Sequence, residues 1–362
     1  MDTLFTHSEP QVKGIERLAL EAAFLLEKSA AEYLGIEVRS VLNCCSSARM
    51  PFTWTINPYR GCEFGCRYCY ARYTHEFMGL NRWEDFEEKI FVKRDAARIL
   101  ARELTPDRLA GQSIALGTAT DPYQPAERRY RVTRSLLEIL AMARDLSLSI
   151  TTKGDLITRD LDLLGRISAR SSLQVNMTVT TLDRNLARVL EFRAPRPDLR
   201  LQALRRLREA GITAGVTVSP ILPDITDSQA NLETVIAAAR EHQATHIHYN
   251  VLFLKPLAQQ AFFAFLERHF PHLRRRYGAR YARSAFLDRG YKDRISALMR
   301  SLKSKHGFTR AADFDMPAPT HEAVAEQLQV LHIEPNPDSL PCVGHPPPRS
   351  QGSSPGRSGS RC

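Results

Sequence analysis

Asn57-Pro58-Tyr59-Arg60-Gly61-Cys62-Glu63-Phe64-Gly65-Cys66-Arg67-Tyr68-Cys69-Tyr70 holds three of the chain's seven cysteines, spaced C-x3-C-x2-C. Three clustered thiols leave one over if they pair as disulfides. As thiolates they form a tripod of soft ligands suited to an iron–sulfur cluster. A cluster of four irons held by three cysteines keeps one iron open to an outside ligand. Gly61 and Gly65 suit a loop that wraps tightly, because glycine reaches backbone angles that are costly for other residues. Cys62, Cys66 and Cys69 are therefore the predicted metal ligands.

Outward from this loop, short apolar runs alternate with longer amphipathic ones. Strands are predicted over 52–57, 113–116, 148–152, 173–179, 213–219 and 246–251. Helices are predicted over 95–104, 133–145, 158–167, 182–190, 200–210 and 227–241, with Thr158 as the cap of the third. Such alternation implies parallel strands joined by right-handed crossovers, in a partial barrel or an open sheet. In both, chemistry sits at the C-terminal ends of the strands. The cysteine loop falls there, as do 118–125, 180–183, 219–224 and the end of the sixth strand at Tyr249-Asn250.

Residues 1–50 read as an extension containing an amphipathic helix from Val12 to Leu34, with Ile15, Leu18, Ala22, Leu25 and Leu26 at helical spacing. Residues 51–256 read as the α/β body and 257–334 as a helical, basic region. Residues 335–362, rich in Pro, Ser and Gly, read as a disordered tail.

With 362 residues, 43% of them hydrophobic, the chain can bury one large α/β core with additions. No uninterrupted apolar stretch of about 18 residues predicts a membrane span, and the N-terminus lacks a signal-peptide layout. Clustered, odd-numbered cysteines fit a reducing compartment, so a cytoplasmic chain with no membrane partner is expected. The net charge of +10 is local: between 270 and 310, twelve Lys/Arg accompany two acids, leaving 38 basic and 38 acidic residues elsewhere. That segment reads either as a solvated helix face or as a surface for nucleic acid, with Tyr277, Tyr281 and Tyr291 interleaved to stack on bases.

The cysteine spacing resembles the signature of the radical S-adenosylmethionine superfamily, whose loop follows the first strand of a partial (β/α)6 barrel of the TIM type. The words Asn57-Pro58-Tyr59-Arg60-Gly61-Cys62, Cys69-Tyr70-Ala71-Arg72 and Thr120-Asp121-Pro122-Tyr123-Gln124-Pro125 are similar to the branch related to spore photoproduct lyase, labelled DNA-repair photolyase-like. The likeness covers residues 40–310. No cysteine lies between Cys69 and Cys342, whereas that lyase is associated with a hydrogen-donating cysteine.

The resemblance implies a [4Fe–4S] cluster, S-adenosylmethionine bound at its open iron, and a reductant such as flavodoxin or ferredoxin. It implies cleavage of the cofactor to a 5′-deoxyadenosyl radical, which abstracts hydrogen from a substrate. It places Tyr68 near the adenine, and Gly117, Thr118, Thr120 and Asp121 near the methionine amino group. Asn176, Thr178 and Thr180 would meet the ribose and carboxylate, and Ser219 lies where the adenine is held. For Asp121 an Asx turn before Pro122 is the competing reading. His246 and His248 share a face of the sixth strand as candidate substrate contacts. Arg60, Arg72 and His75 flank the loop and could steady charge. A different class, a zinc module using the cysteines with His75, leaves the strand periodicity unexplained.

Overall fold

The computed structural model describes residues 14–28, 31–45, 50–104 and 112–308. The tail over 335–362, with Cys342 and Cys362, lies outside the described residues. The strands are β1 (Ala23–Lys28), β2 (Ala31–Ile36), β3 (Leu42–Cys44), β4 (Trp54–Ile56), β5 (Tyr59–Arg60) and β6 (Lys89–Lys93). They continue as β7 (Ser113–Leu116), β8 (Ser147–Thr152), β9 (Ser172–Thr178), β10 (Thr213–Ile221) and β11 (Ile247–Val251).

The larger sheet has the order β11-β10-β9-β8-β7-β4-β3. Every neighbouring pair from β4 to β11 is parallel, and β3 adds an antiparallel edge. Six parallel strands wound in chain order, with helices between them, make the partial (β/α)6 barrel. Its edges, β3 and β11, do not pair, so the barrel stays open on that side.

Side-chain alternation explains why these strands curl around a polar interior. On β8, Leu148 and Ile150 are buried in the core, while Ser149 and Thr151 line the interior cavity. On β9, Val175 and Met177 face outward and Gln174, Asn176 and Thr178 line the cavity; on β10, Val216 and Val218 oppose Thr217 and Ser219. A period of two sends alternate residues to opposite faces. The apolar set is covered by helices at Val132–Leu140, Leu161–Ser168, Pro197–Glu209 and Gln229–Glu241, through residues such as Leu136, Leu164, Leu204 and Ile236. Each buried leucine of this kind contributes about 1.5–3 kcal/mol of hydrophobic stabilisation before entropy is counted.

Three expectations are corrected. The Val12–Leu34 helix is present only as Gly14–Leu20; beyond it β1 and β2 form an antiparallel hairpin, and β2 pairs in parallel with β6. Gly35 lies inside β2, opposite Ala23 and Val92, and ends no helix. A short apolar run fits helix or strand, and a distant partner decides it. Thr158 is not a helix cap: its hydroxyl donates to Asp155 O inside a 3-10 turn, and the α-helix begins at Leu161. The first barrel strand does not run straight into the cysteine loop. After β4 the chain crosses at Asn57-Pro58 to β5, in a second sheet ordered β1-β2-β6-β5.

Tyr277, Tyr281 and Tyr291 are also reassigned. All three are buried, and their hydroxyls donate to Pro223 O (2.6 Å), Leu252 O (3.0 Å) and Asp227 Oδ2 (2.9 Å). They dock the helices at Arg274–Arg280 and Arg289–Lys305 onto the barrel and leave no ring face for a base. Asp224 pairs with Arg276 and Arg280, Asp227 with Arg294, and Glu267 with Arg274, which offsets part of the basic segment. Among the described residues, no helix is long and apolar enough to cross a membrane.

Candidate active site

The cysteine loop is stapled from three directions. Cys62 N donates to Phe86 O (2.9 Å), Arg67 N to Leu190 O (2.9 Å), and Arg72 Nη2 to Cys66 O (3.0 Å). From β7's end, Thr120 Oγ1 and Gln124 Nε2 both donate to Gly61 O, at 2.6 and 3.1 Å, and Gln124 Oε1 accepts from Glu63 N (3.0 Å). Buried polar groups in so small a loop need such partners. The Thr120–Pro125 word therefore fixes the backbone that carries the thiols.

Cys62, Cys66 and Cys69 are free thiols on the wall of one cavity of about 1180 Å³. Burial pushes all three thiols above the ordinary range, Cys66 up to about 12; Lys153 works in the opposite direction at Cys66 and Cys69, as Arg72 does at Cys69. Among the described residues, no three His, Cys, Asp or Glu side chains converge on one point as a single ion requires. A multi-iron cluster asks something else, since each thiolate takes a different iron. Three free sulfurs around one space, those of Cys62 and Cys66 buried and that of Cys69 half-buried, beside cations that offset thiolate charge, fit that group. His75 does not join them: it is fully buried between Phe86 and Phe91, its Nε2 meets Lys89 O at 3.1 Å, and burial lowers its pKa to about 3. Arg72 likewise serves the loop backbone, whereas Arg60 faces the cavity.

Of the other predicted site residues, Tyr68, Gly117, Thr118, Thr120, Asp121, Asn176, Thr178 and Ser219 line this same cavity. Thr180 does not; it is buried beside Glu191, to which its hydroxyl donates at 3.4 Å. Asp121 makes the Asx-type bond: Oδ1 accepts from Tyr123 N (2.9 Å) and Thr152 Oγ1 (2.6 Å), and Oδ2 from Lys153 N (2.7 Å). Oδ2 keeps a lone pair for a further donor. At the barrel floor, His246 meets Asn176 Oδ1 and Gln174 Nε2, each at 2.9 Å, and its ring lies tilted against that of His248, centroids 4.7 Å apart. His248 lines the cavity; His246 sits behind it, its pKa lowered to about 3 by burial and then by His248.

The sequence gives no local signal for the group behind Tyr68. Glu191 accepts from the Tyr68 hydroxyl and forms an ion pair with Arg200 at 2.5 Å, with both side chains buried. Burial opposes the Glu191 charge, but Arg200, Lys153 and Tyr68 outweigh it and hold the carboxyl below its ordinary range. Lys153, at the end of β8, sits over the Tyr68 ring with Nζ 5.6 Å from the centroid. Burial works against its charge, while Cys66 and Glu191 raise its pKa above the ordinary value.

Gly61 has φ +82°, and a Cβ there would lie 2.6 Å from Lys89 O and 2.9 Å from Phe86 O. Both obstacles are backbone. At Gly65 (φ +59°) a Cβ meets the movable ends of Glu87 and Phe192 instead. Gly61→Ala should therefore cost about 1–3 kcal/mol by strain and displace Cys62. Urea unfolding, with iron retention after anaerobic loading, checks this; Gly65→Ala should show the smaller loss of both.

The sequence profile of the Radical SAM superfamily matches residues 56–233, which span the cysteine loop and most of the barrel. An uncharacterised protein of Mycobacterium tuberculosis is 34% identical over 320 residues, covering 86% of this chain and 91% of that one. One of Methanocaldococcus jannaschii is 30% identical over 222 residues, 60% of this chain and 76% of that one. Spore photoproduct lyase complexed with dinucleoside spore photoproduct shares the fold at a TM-score of 0.55 and 14% identity, over 76% of this chain and 79% of that one. A variant of that lyase with bound AdoMet and the same dinucleoside gives 0.54 and 15%, over 82% and 85%. By its cysteine loop, its barrel and these matches, the chain belongs to the radical SAM superfamily.

Proposed function

We propose that the chain is an enzyme that uses a [4Fe–4S] cluster to cleave S-adenosylmethionine reductively, so that a 5′-deoxyadenosyl radical abstracts hydrogen from a nucleic-acid substrate in a lyase-like reaction. The observation that carries this reading is the single cavity in which three free thiols meet a polar barrel interior. Its volume, about 1180 Å³, exceeds the roughly 300–1,000 Å³ of a pocket for one small ligand.

In this reading Cys62, Cys66 and Cys69 hold the cluster. Tyr68, fixed through its hydroxyl by Glu191, presents its ring to the cofactor's base. Gly117, at φ +91° and packed too closely against Thr151 O and Pro122 for a side chain, turns the chain at the end of β7, where Thr118 and Thr120 add polar groups. Asp121 Oδ2 accepts from the methionine amino group, and Lys153 offers its ammonium to the carboxylate. Asn176, Thr178 and Ser219 supply hydroxyl and amide partners for the ribose and adenine. Thr180 acts behind them through Glu191. Flavodoxin or ferredoxin would deliver the electron. The lyase that shares this fold was solved with a dinucleoside, which supports nucleic acid as the substrate class.

The test is anaerobic reconstitution followed by reduction. A protein with about four irons per chain should convert S-adenosylmethionine to methionine and 5′-deoxyadenosine. Deuterated DNA or RNA should then pass its label into the 5′-deoxyadenosine. A fully loaded, reduced protein that leaves S-adenosylmethionine intact would overturn the reading.

A further inference from the structure

Most of the buried cations in this chain have a visible counterweight. Arg200 has Glu191, Arg72 has Glu87 together with two carbonyls, and even half-buried Arg159 has Glu127 and Asp160. Three cations on the cavity wall depart from that pattern. Lys93 and Lys255 are buried, with 4% and 6% of their surface exposed, and neither makes an ion pair among the described residues. Lys255 Nζ and Arg60 Nε are buried without a hydrogen-bond partner. All three residues line the cavity.

The nearby acids, Glu103 toward Lys93 and Glu76 toward Lys255, favour the lysine charges, but burial outweighs each of them. Glu103 accepts from Val41 N (2.9 Å) and Leu42 N (3.0 Å), which ties down the edge before β3. Glu76 is exposed. Lys255 Nζ rests 3.3 Å from the centroid of the Tyr73 ring, a contact that holds the cation without neutralising it. Burial lowers the Lys255 pKa to about 8 and the Lys93 pKa to about 7, and Arg60 adds like-charge repulsion at Lys93. An unpaired buried charge is costly, so two buried lysines and a half-buried arginine lining one cavity ask for an anion.

Their place in the fold says where that anion enters. Arg60 ends β5 and Lys93 ends β6, two paired strands of the small sheet. Lys255 follows β11, the far edge of the barrel. Tyr70 reaches across to Phe253, with ring centroids 5.2 Å apart. The three cations thus bracket the unclosed side of the barrel, whereas Lys153 follows β8 in the middle of the strand order. Arg60 brings a planar fork suited to two phosphate oxygens, and the two lysines bring point charges.

We propose that Arg60, Lys93 and Lys255 form a phosphate subsite at the open side of the barrel, which takes the phosphoester of a nucleotide substrate. This rests on the proposed function for its substrate class and adds the contact that selects it.

The test is binding to the full-length chain of a thymidine dinucleotide and of its methylphosphonate counterpart, which lacks the phosphate charge. Wild-type protein should prefer the charged linkage by about tenfold or more, and rising salt should shrink the preference. Lys93→Met with Lys255→Met should abolish the preference, while Lys255→Arg should keep most of it. Thymidine 5′-monophosphate as competitor separates the two sources: displacement equal to the dinucleotide's assigns the subsite to free nucleotides, and weaker displacement assigns it to a strand. Equal wild-type affinity for the charged and uncharged linkages overturns the proposal, as does a double variant that folds and keeps the preference. If the methionine variants fail to fold, the wild-type comparison still decides. Binding is read without chemistry, so a chain that selects phosphate but leaves S-adenosylmethionine intact refutes the reaction and not the subsite. A chain that cleaves the cofactor but ignores the phosphate charge does the reverse.

Discussion

On the proposed function, Cys66→Ala should give a folded, colourless protein that retains less than about one iron per chain and cleaves S-adenosylmethionine at least about a thousandfold more slowly, because the proposed four-iron cluster would lose one of its three protein ligands. Hydrogen bonds to backbone carbonyls hold the loop. Arg72 and Cys69 bind the carbonyl of Cys66, and Thr120 and Gln124 bind the carbonyl of Gly61. None of these bonds uses the Cys66 sulfur, so the loop keeps its course when the thiol is removed. The cost to stability is that of truncating one small buried side chain, on the order of 1 kcal/mol. Iron analysis, visible absorbance and circular dichroism on one anaerobic preparation separate the two effects. Full iron retention in the variant would remove Cys66 from the ligand set. Loss of the fold along with the iron would mean that the barrel depends on the cluster.

The contrast between what was legible and what was not follows from range. The barrel strands announce themselves locally, because Leu148 and Ile150 alternate with Ser149 and Thr151 within one six-residue segment. The cysteine loop is equally local. The hairpin at Ala23–Ile36 is not, since β2 owes its strand character to β6, more than fifty residues on. The tyrosines at 277, 281 and 291 fail for a related reason: an aromatic among arginines looks the same whether its ring faces water or the barrel wall. Asp121 was open between turn and ligand, and the structure gives it the turn bonds while leaving it on the cavity wall. Lys153 and Glu191 carry no signal at all in the chain, and Gln124 only its place in the Thr120–Pro125 word. Each gains meaning only from a partner brought by the fold, as when Glu191 meets Tyr68 across 123 positions.

Glu191 is where such a hidden partner should matter most. Glu191→Ala strips the counter-charge from Arg200, which is 1% exposed, and removes acidic compensation from half-buried Lys153. Breaking a buried pair from one side costs about 3–5 kcal/mol. In a chain of this size that lowers the melting temperature by roughly 4–7 °C. It also frees the Tyr68 hydroxyl, so the ring next to the third cysteine loses its fixed orientation. A second substitution separates these consequences. Glu191→Leu with Arg200→Met removes both charges and should regain most of the stability, since apolar replacements of a buried pair are often neutral. It cannot restore the acceptor for Tyr68 or the negative charge near Lys153. The double variant should therefore melt near wild type yet bind S-adenosylmethionine at least about tenfold more weakly, the effect of losing one or two charge-assisted contacts. Affinity that recovers together with stability would confine the pair to holding Arg200 against the carbonyls of Thr178 and Pro195. A single variant within about 1 kcal/mol of wild type would show that solvent reaches Arg200 after all, and the pair would then have the small worth of a surface ion pair.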